Sequence, residues 1–204
     1  MHKFIKIFFL TSIFASLLSI FFILLTYLVI KPSLPEIKYV DESELQMPLK
    51  VYTKDRVLIG EFGEIKRRPT SFKDIPIDIR NAFLAAEDDN FFNHQGISYS
   101  GLIRSFVRCL QSSWCQGGGG TITMQVVRGY LLTPEQTIIR KIKEIFLALE
   151  LEGTNNKEEI FELYVNRIFL GNRSYGIEAA SNTYFNKSLS EINLNESATI
   201  AAIA

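Results

Sequence analysis

Charge of one sign is what this 204-residue chain lacks: 22 Lys+Arg are matched by 22 Asp+Glu, a formal net charge of zero. Nucleic-acid binders usually carry a basic excess, so no nucleic-acid partner is expected. Cysteine is scarce as well. Cys109 and Cys115 stand without a Cys-x-x-Cys and without paired histidines nearby, which argues against a zinc site, and no residue is assigned as a metal ligand. Outside the cytoplasm the two cysteines can form a disulfide or stay as thiols, and their spacing decides neither.

A third absence is of charge between Ile7 and Ile30. A helix over that run is long enough to cross an apolar layer of ~30 Å. Lys3 and Lys6 precede it, and Lys31 is soon followed by Glu36, Asp41, Glu42 and Glu44. This bias favours a cytoplasmic N-terminus with everything after Lys31 outside. The run is too long for a signal-peptide core, and no small-x-small site precedes Pro32 and Pro35. The expectation is therefore an uncleaved single-pass anchor over 1–30, a proline-bearing linker over 31–48, and one domain over 49–204.

That domain reads as mainly α with a small β-hairpin. Leu49 to Phe62 alternates loosely around a polar Thr53-Lys54-Asp55-Arg56 turn. Asp74-Ile75-Pro76 then opens a helix with proline in its first turn, and Ile79, Ala82, Phe83 and Ala86 form its stripe. This helix delivers Glu87. An acid at the end of an apolar helix can be held half-buried, a setting suited to a proton-transfer base, although a solvated helix end is the commoner case.

Ile97–Trp114 reads as an amphipathic helix with Arg104 and Arg108 one turn apart. It is either an ordinary packed helix or a segment with apolar groups in lipid and arginines at phosphate. The run Gly117–Gly120 before Thr121-Ile122-Thr123 exposes backbone amides at a helix start, or serves as a hinge. No Gly-Lys-Ser/Thr follows, which excludes a P-loop. Thr133-Pro134-Glu135-Gln136 reads as a capping box for a helix to about Glu152, ended by Gly153. Arg140, Lys141 and Glu144 lie within one turn of it, as a surface ion-pair cluster or as a second carboxylate held among cations.

Asn156 with Glu159 caps a helix running to Gly171, a shorter helix covers Gly176–Phe185, and Asn193 with Glu196 caps the last, Asn195–Ala204. That helix stops inside an apolar run, from which we expect a C-terminally truncated domain.

In this order the elements resemble the peptidoglycan glycosyltransferase family, the polymerase domain of class A penicillin-binding proteins and of monofunctional transglycosylases. Five motifs over about residues 80–204 carry the resemblance: Glu87-Asp88-x-x-Phe91-x-x-His94-x-Gly96, Gly118-Gly119-Gly120-Thr121-Ile122-Thr123-Met124-Gln125, Arg140-Lys141-x-x-Glu144, Ile160-x-Glu162-Leu163-Tyr164-x-Asn166-x-Ile168-x-Leu170-Gly171 and Leu194-Asn195-Glu196-x-Ala198. The hairpin and Leu132-Thr133-Pro134-Glu135 look closer to the 1A type.

The resemblance implies a lysozyme-like, mainly α fold on the outer, periplasmic face of the cytoplasmic membrane. It implies a glycosyltransferase of cell wall biogenesis that joins lipid II into β-1,4-linked glycan strands and releases undecaprenyl pyrophosphate. Glu87 is then the general base and Glu144 the second carboxylate, on the donor side. Arg104, Arg128, Arg140 and Lys141 become phosphate contacts, with a divalent metal, Mg or Mn, beside the pyrophosphate and no organic cofactor. Asp88, Phe91, His94, Gly96, Gly118, Gly119, Thr121, Thr123, Gln125 and Asn166 become substrate-binding positions. The implied partners are lipid II, the growing glycan strand, the bilayer and other cell-wall synthesis proteins. Residues 97–114 fall on the family's membrane-dipping jaw.

The chain departs from the family's usual Ser at Gly120, Gln at Met124, Asn at Gly129 and Asn at Cys109. Two other readings follow from the same residues. A truncated, inactive piece of a bifunctional protein would bind glycan or a division partner without turnover. A lytic transglycosylase would share the helix-borne Glu87 but has no use for the Arg140-Lys141-x-x-Glu144 cluster.

Overall fold

The computed structural model describes residues 2–40, 48–63, 66–111, 120–135 and 137–204. They divide into two compact units, Met1–Glu36 and Ile37–Ala204.

The first unit is built on α1 (His2–Ile30), a 29-residue helix. At ~1.5 Å per residue it exceeds the ~30 Å of a bilayer core. Its side chains from Ile7 to Leu25 are apolar with few exceptions and exposed all round. A helix apolar on every side belongs in apolar surroundings. Among the described residues it is the one helix long and apolar enough to cross a membrane.

The expected linker over 31–48 does not stay one segment. Lys31–Ser33 forms a 3-10 turn directly after α1, with Pro32 in its first positions, where proline has no hydrogen bond to lose. Ile37–Tyr39 forms another, packed against the helices α4 and α5 described below, and so belongs to the second unit.

The second unit is helical with two minimal sheets. Strands β1 (Leu49–Tyr52) and β2 (Leu58–Phe62) form the expected hairpin, with Leu49 opposite Phe62 and a register irregularity at Val51/Tyr52. Helix α2 covers Ile77–Glu87 and starts later than expected. The residue before a proline is pushed to extended backbone, and Ile75, with ψ 119°, separates a 3-10 turn at Phe72–Asp74 from the helix that Pro76 caps. Helix α3 covers Tyr99–Gln111, α4 covers Ile122–Leu131, and α5 covers Ile138–Thr154.

Two bounds of α5 differ from expectation. Thr137, not Thr133, is its N-cap: its hydroxyl accepts from the Arg140 N–H at 3.1 Å. Gly153 lies inside the helix, at a cost of about 1 kcal/mol relative to alanine. The chain breaks at Asn155, which is extended because Asn156 next to it caps α6 (Lys157–Arg167). The capping boxes of Asn156 with Glu159 and of Asn193 with Glu196 both form. Helix α6 ends at Arg167 rather than Gly171, because Ile168 already leaves the helical region with ψ 135°, and Gly171, Asn172 and Arg173 then turn the chain with positive φ. That turn lays β4 (Ser174–Tyr175) parallel to β3 (Lys66–Arg67). Helices α7 (Ile177–Phe185) and α8 (Leu194–Ala201) complete the unit.

Helix α4 packs on both α5 and α6, and α2 packs on α8. The core between them holds Phe83, Phe91, Phe161, Ile79, Ile122, Met124, Leu147, Leu151 and Ile160, all essentially inaccessible. Side chains of this size contribute ~1.5–3 kcal/mol each on burial. Edge-on rings tie the helices together: Phe83 meets Tyr164 at 6.1 Å and Phe72 meets Phe161 at 5.9 Å.

Candidate active site

Glu87 is the last residue of α2, and the Gln125 side chain of α4 donates from Nε2 to its Oε2 at 2.6 Å. Both residues are half-buried. Close by is Tyr164 of α6, whose hydroxyl is buried with no hydrogen-bond partner among the described residues. Burial, and then the negative charge of Glu87, push its ionisation far above the ordinary tyrosine value, while Arg128 pulls the other way. Tyr164 is therefore a neutral donor within the fields of a carboxylate and a guanidinium.

The rest of the first motif is committed to protein partners. Asp88 accepts from His94 Nε2 at 2.9 and 3.1 Å and from the Ile122 N–H at 3.1 Å, which puts a carboxylate on the N-terminus of α4. Phe91 is fully buried against Phe161 and His94. Gly96 has φ +80°, and a Cβ there would sit 2.8 Å from the Ala148 carbonyl oxygen, so only glycine fits. Thr121 donates to the Gly96 carbonyl at 2.6 Å and accepts from the Met124 N–H as the N-cap of α4. Thr123 donates to Glu152 at 2.6 Å. Asn166 is buried, accepting from the Thr70 N–H and donating to the Thr70 carbonyl. These expected substrate positions frame the site from within.

Glu144 of α5 is 1% exposed and lies between two cations, with Arg140 Nη1 at 3.1 Å and Lys141 Nζ at 3.0 Å. The Lys141 contact is a hydrogen bond; the Arg140 contact is ionic without hydrogen-bond alignment, leaving Glu144 Oε1 short of a donor. Arg140 and Lys141 retain partial exposure, so their charges reach solvent. Lys141 Nζ also lies 3.7 Å from where a Cβ on Gly120 would stand, which brings the end of the glycine run to this cluster.

Arg128 is exposed, one turn after Gln125. It lines an open pocket of ≈ 510 Å³ with Gly129, Leu132, Thr133, Pro134, Arg140 and Arg167. A neighbouring pocket of ≈ 190 Å³ is lined by Gln125, Arg128, Gly129, Tyr164 and Arg167, among others. Arg128 thus joins the Glu87–Gln125 side to the Arg140–Glu144 side. Arg104 is exposed on α3 and lines neither pocket. Gly118, Gly119 and Cys115 lie outside the described residues, as does the Cys109 side chain. Met124 is 1% exposed, so it acts on packing and not by direct contact.

Tyr164, Gly129 and Arg167 are additions to the expected set. The signal for Gly129 was a glycine inside a helix, which often marks a close approach; nothing in the sequence singled out Arg167. Among the described residues no three His, Cys, Asp or Glu side chains cluster, and Glu144 is taken up by cations.

The family model described as "Transglycosylase" matches residues 55–204. Penicillin-binding protein 1A of Pseudomonas aeruginosa is 51% identical over 177 residues, covering 87% of this chain and 22% of that protein. Penicillin-binding protein 1A of Escherichia coli K12 is 40% identical over 201 residues, covering 98% of this chain and 24% of that protein. A crystal structure of penicillin-binding protein 1A from Haemophilus influenzae matches 78% of this chain and 14% of that one, with 33% identity and a TM-score of 0.38. The chain thus spans about a quarter of the length of these relatives. With the family match across the whole helical unit from Asp55 onward, this chain belongs to the transglycosylase family, in the branch carried by class A penicillin-binding proteins of the 1A type.

Proposed function

We propose that this chain is a membrane-anchored peptidoglycan glycosyltransferase that polymerises lipid II on the outer face of the cytoplasmic membrane. The observation that carries the reading is the pairing of a half-buried carboxylate, Glu87, held by a neutral amide, with a basic pocket that begins one helical turn away at Arg128.

In this reading Glu87 takes the proton from the acceptor sugar's 4-hydroxyl. The oxygen attacks the anomeric carbon of the lipid-linked donor strand from the face opposite the diphosphate. The bond from that carbon to the diphosphate oxygen breaks, its electron pair leaves with the undecaprenyl diphosphate, and a β-1,4 link forms with inversion. Gln125 fixes the carboxylate's position. Arg128, Arg140 and Lys141 offset the charge that builds on the leaving diphosphate. Glu144 acts by holding Arg140 and Lys141, and α1 serves as the anchor.

The test is polymerisation of fluorescent lipid II by the detergent-solubilised chain, beside the Glu87→Gln variant. Glycan ladders from the wild type alone are expected. Ladders of equal yield from both would remove Glu87 as the base, and lipid II binding without ladders from either folded protein would replace catalysis with binding.

A further inference from the structure

We propose that Arg167 is a diphosphate-binding residue, seated beside Arg128 and Arg140 in the room that Gly129 leaves. The proposal rests on the polymerase reading for the identity of the lipid-linked ligand, and on the pocket alone for its anionic chemistry.

Arg167 closes α6, and its side chain reaches across to α4. There its Nη2 donates to the Gly129 carbonyl, and its guanidinium lies 4.3 Å from the Tyr130 ring centroid. A Cβ at position 129 would stand 2.8 Å from Arg167 Nε and 3.1 Å from its Cδ. A side chain at 129 therefore makes the Arg167 side chain shift, and glycine leaves it room in its present position. In that position Arg167 lines both pockets, sharing the larger with Arg128 and Arg140.

The charge of this pocket is only partly compensated. Its other lining residues, Gly129, Leu132, Thr133 and Pro134, carry none. Arg140 is balanced by Glu144, but among the described residues no carboxylate stands within ion-pair distance of Arg128 or Arg167. A guanidinium offers five N–H donors in a planar fork, and the Gly129 carbonyl engages only part of that set. Forks converging on one opening suit a ligand with several charged acceptor oxygens on adjacent centres, which describes a diphosphate. The stacking on Tyr130 and the bond to Gly129 pre-position the fork, so less side-chain freedom is lost when the ligand arrives.

The competing description is a strut, in which Arg167 only ties α6 to α4. The two separate on the full 204-residue chain in detergent. Inorganic pyrophosphate and a polyprenyl diphosphate are titrated onto the wild type, Arg167→Gln, Arg167→Lys, Gly129→Ala and the exposed control Lys73→Gln, with melting temperatures recorded. Arg167→Gln is expected to weaken both ligands by ~10-fold to ~100-fold, the range for a charged hydrogen-bond partner. Arg167→Lys should recover part of the affinity, Gly129→Ala should lose it with every charge retained, and Lys73→Gln should match the wild type. In polymerisation the loss at Arg167 should fall on KM more than on kcat.

Unchanged affinity for pyrophosphate in Arg167→Gln overturns the proposal, as does a loss confined to the polyprenyl ligand. If Arg167→Gln does not fold, Gly129→Ala decides: wild-type affinity in that variant overturns the proposal. A chain that makes glycan while Arg167 variants bind normally keeps the polymerase reading and loses this site. A chain that makes none, yet binds pyrophosphate through Arg167, does the reverse.

Discussion

Glu87 and Glu144 are the same residue type in opposite settings. Glu87 ends a helix, is half-buried and meets the neutral amide of Gln125. Glu144 sits within a helix, is 1% exposed and lies between Arg140 and Lys141. A carboxylate with a neutral donor keeps its charge unbalanced and is available to a proton. A carboxylate between two cations has its charge spent on holding them. The first setting suits proton transfer, and the second suits an electrostatic brace for a departing anion. The motif alone gives two glutamates; their partners tell them apart.

The largest effect expected is at Glu87. Glu87→Gln should lower kcat by ~10²-fold to ~10⁴-fold, as loss of a general base does, with little change in melting temperature. An equal loss in Glu144→Gln without destabilisation would break the comparison. Glu144→Gln should instead lower stability by about 1–3 kcal/mol in urea titrations, less than the ~3–5 of a fully buried pair because both cations reach solvent. It should also leave the pH dependence of the residual rate unchanged in shape. Gln125→Ala sharpens the other side: freeing Glu87 should lower kcat by ~10-fold, the scale of one charged hydrogen bond.

A smaller effect is expected from a less buried version of the same contact, Glu196 with Lys187 at 2.7 Å. Its carboxyl is held below the ordinary value of 4.5, first by the Lys187 hydrogen bond and then by the Asn193 N–H. A depressed carboxyl stabilises the fold above its unfolded pKa, and that contribution is lost as pH falls through the lower folded value. Denaturation of Glu196→Gln against the wild type should therefore show a deficit at neutral pH that closes on acidification from 4.5 downward. A deficit as large as that of Glu144→Gln would show that burial is not what separates the two. The smallest effect is expected at Gly120→Ser: its Cβ would find Lys141 Nζ at an ordinary 3.7 Å, so stability should change by no more than ~0.5 kcal/mol in the same titration.

Features written within a few residues were legible in the sequence. The boxes Asn156/Glu159 and Asn193/Glu196 involve a cap and its own third residue, and both form. The start of α5 was harder, because Thr133 and Thr137 offer the same hydroxyl and only the fold selects one. The turn after α6 depends on positive φ at Asn172 and Arg173 and on pairing with Lys66 and Arg67, far away in the chain. At the site, Glu87, Gln125, Arg140, Lys141 and Glu144 were legible as a set. Which motif side chains face inward was not. Asp88 turned onto the Ile122 N–H and Asn166 turned onto Thr70 are set by distant backbone, and a motif lists residue types without their directions.

The link between Thr121 and Gly96 has a consequence for motion. Asp88 holds the Ile122 amide, and Thr121 holds both the Gly96 carbonyl and the Met124 amide. The turn that presents Glu87 and the first turn of α4 therefore cannot open separately. In hydrogen exchange the Ile122 and Met124 amides should share one opening free energy, and a Thr121→Val variant should speed both together. Glu87 and the helix that carries its amide partner then form a single cooperative patch, which holds the Glu87–Gln125 contact in place.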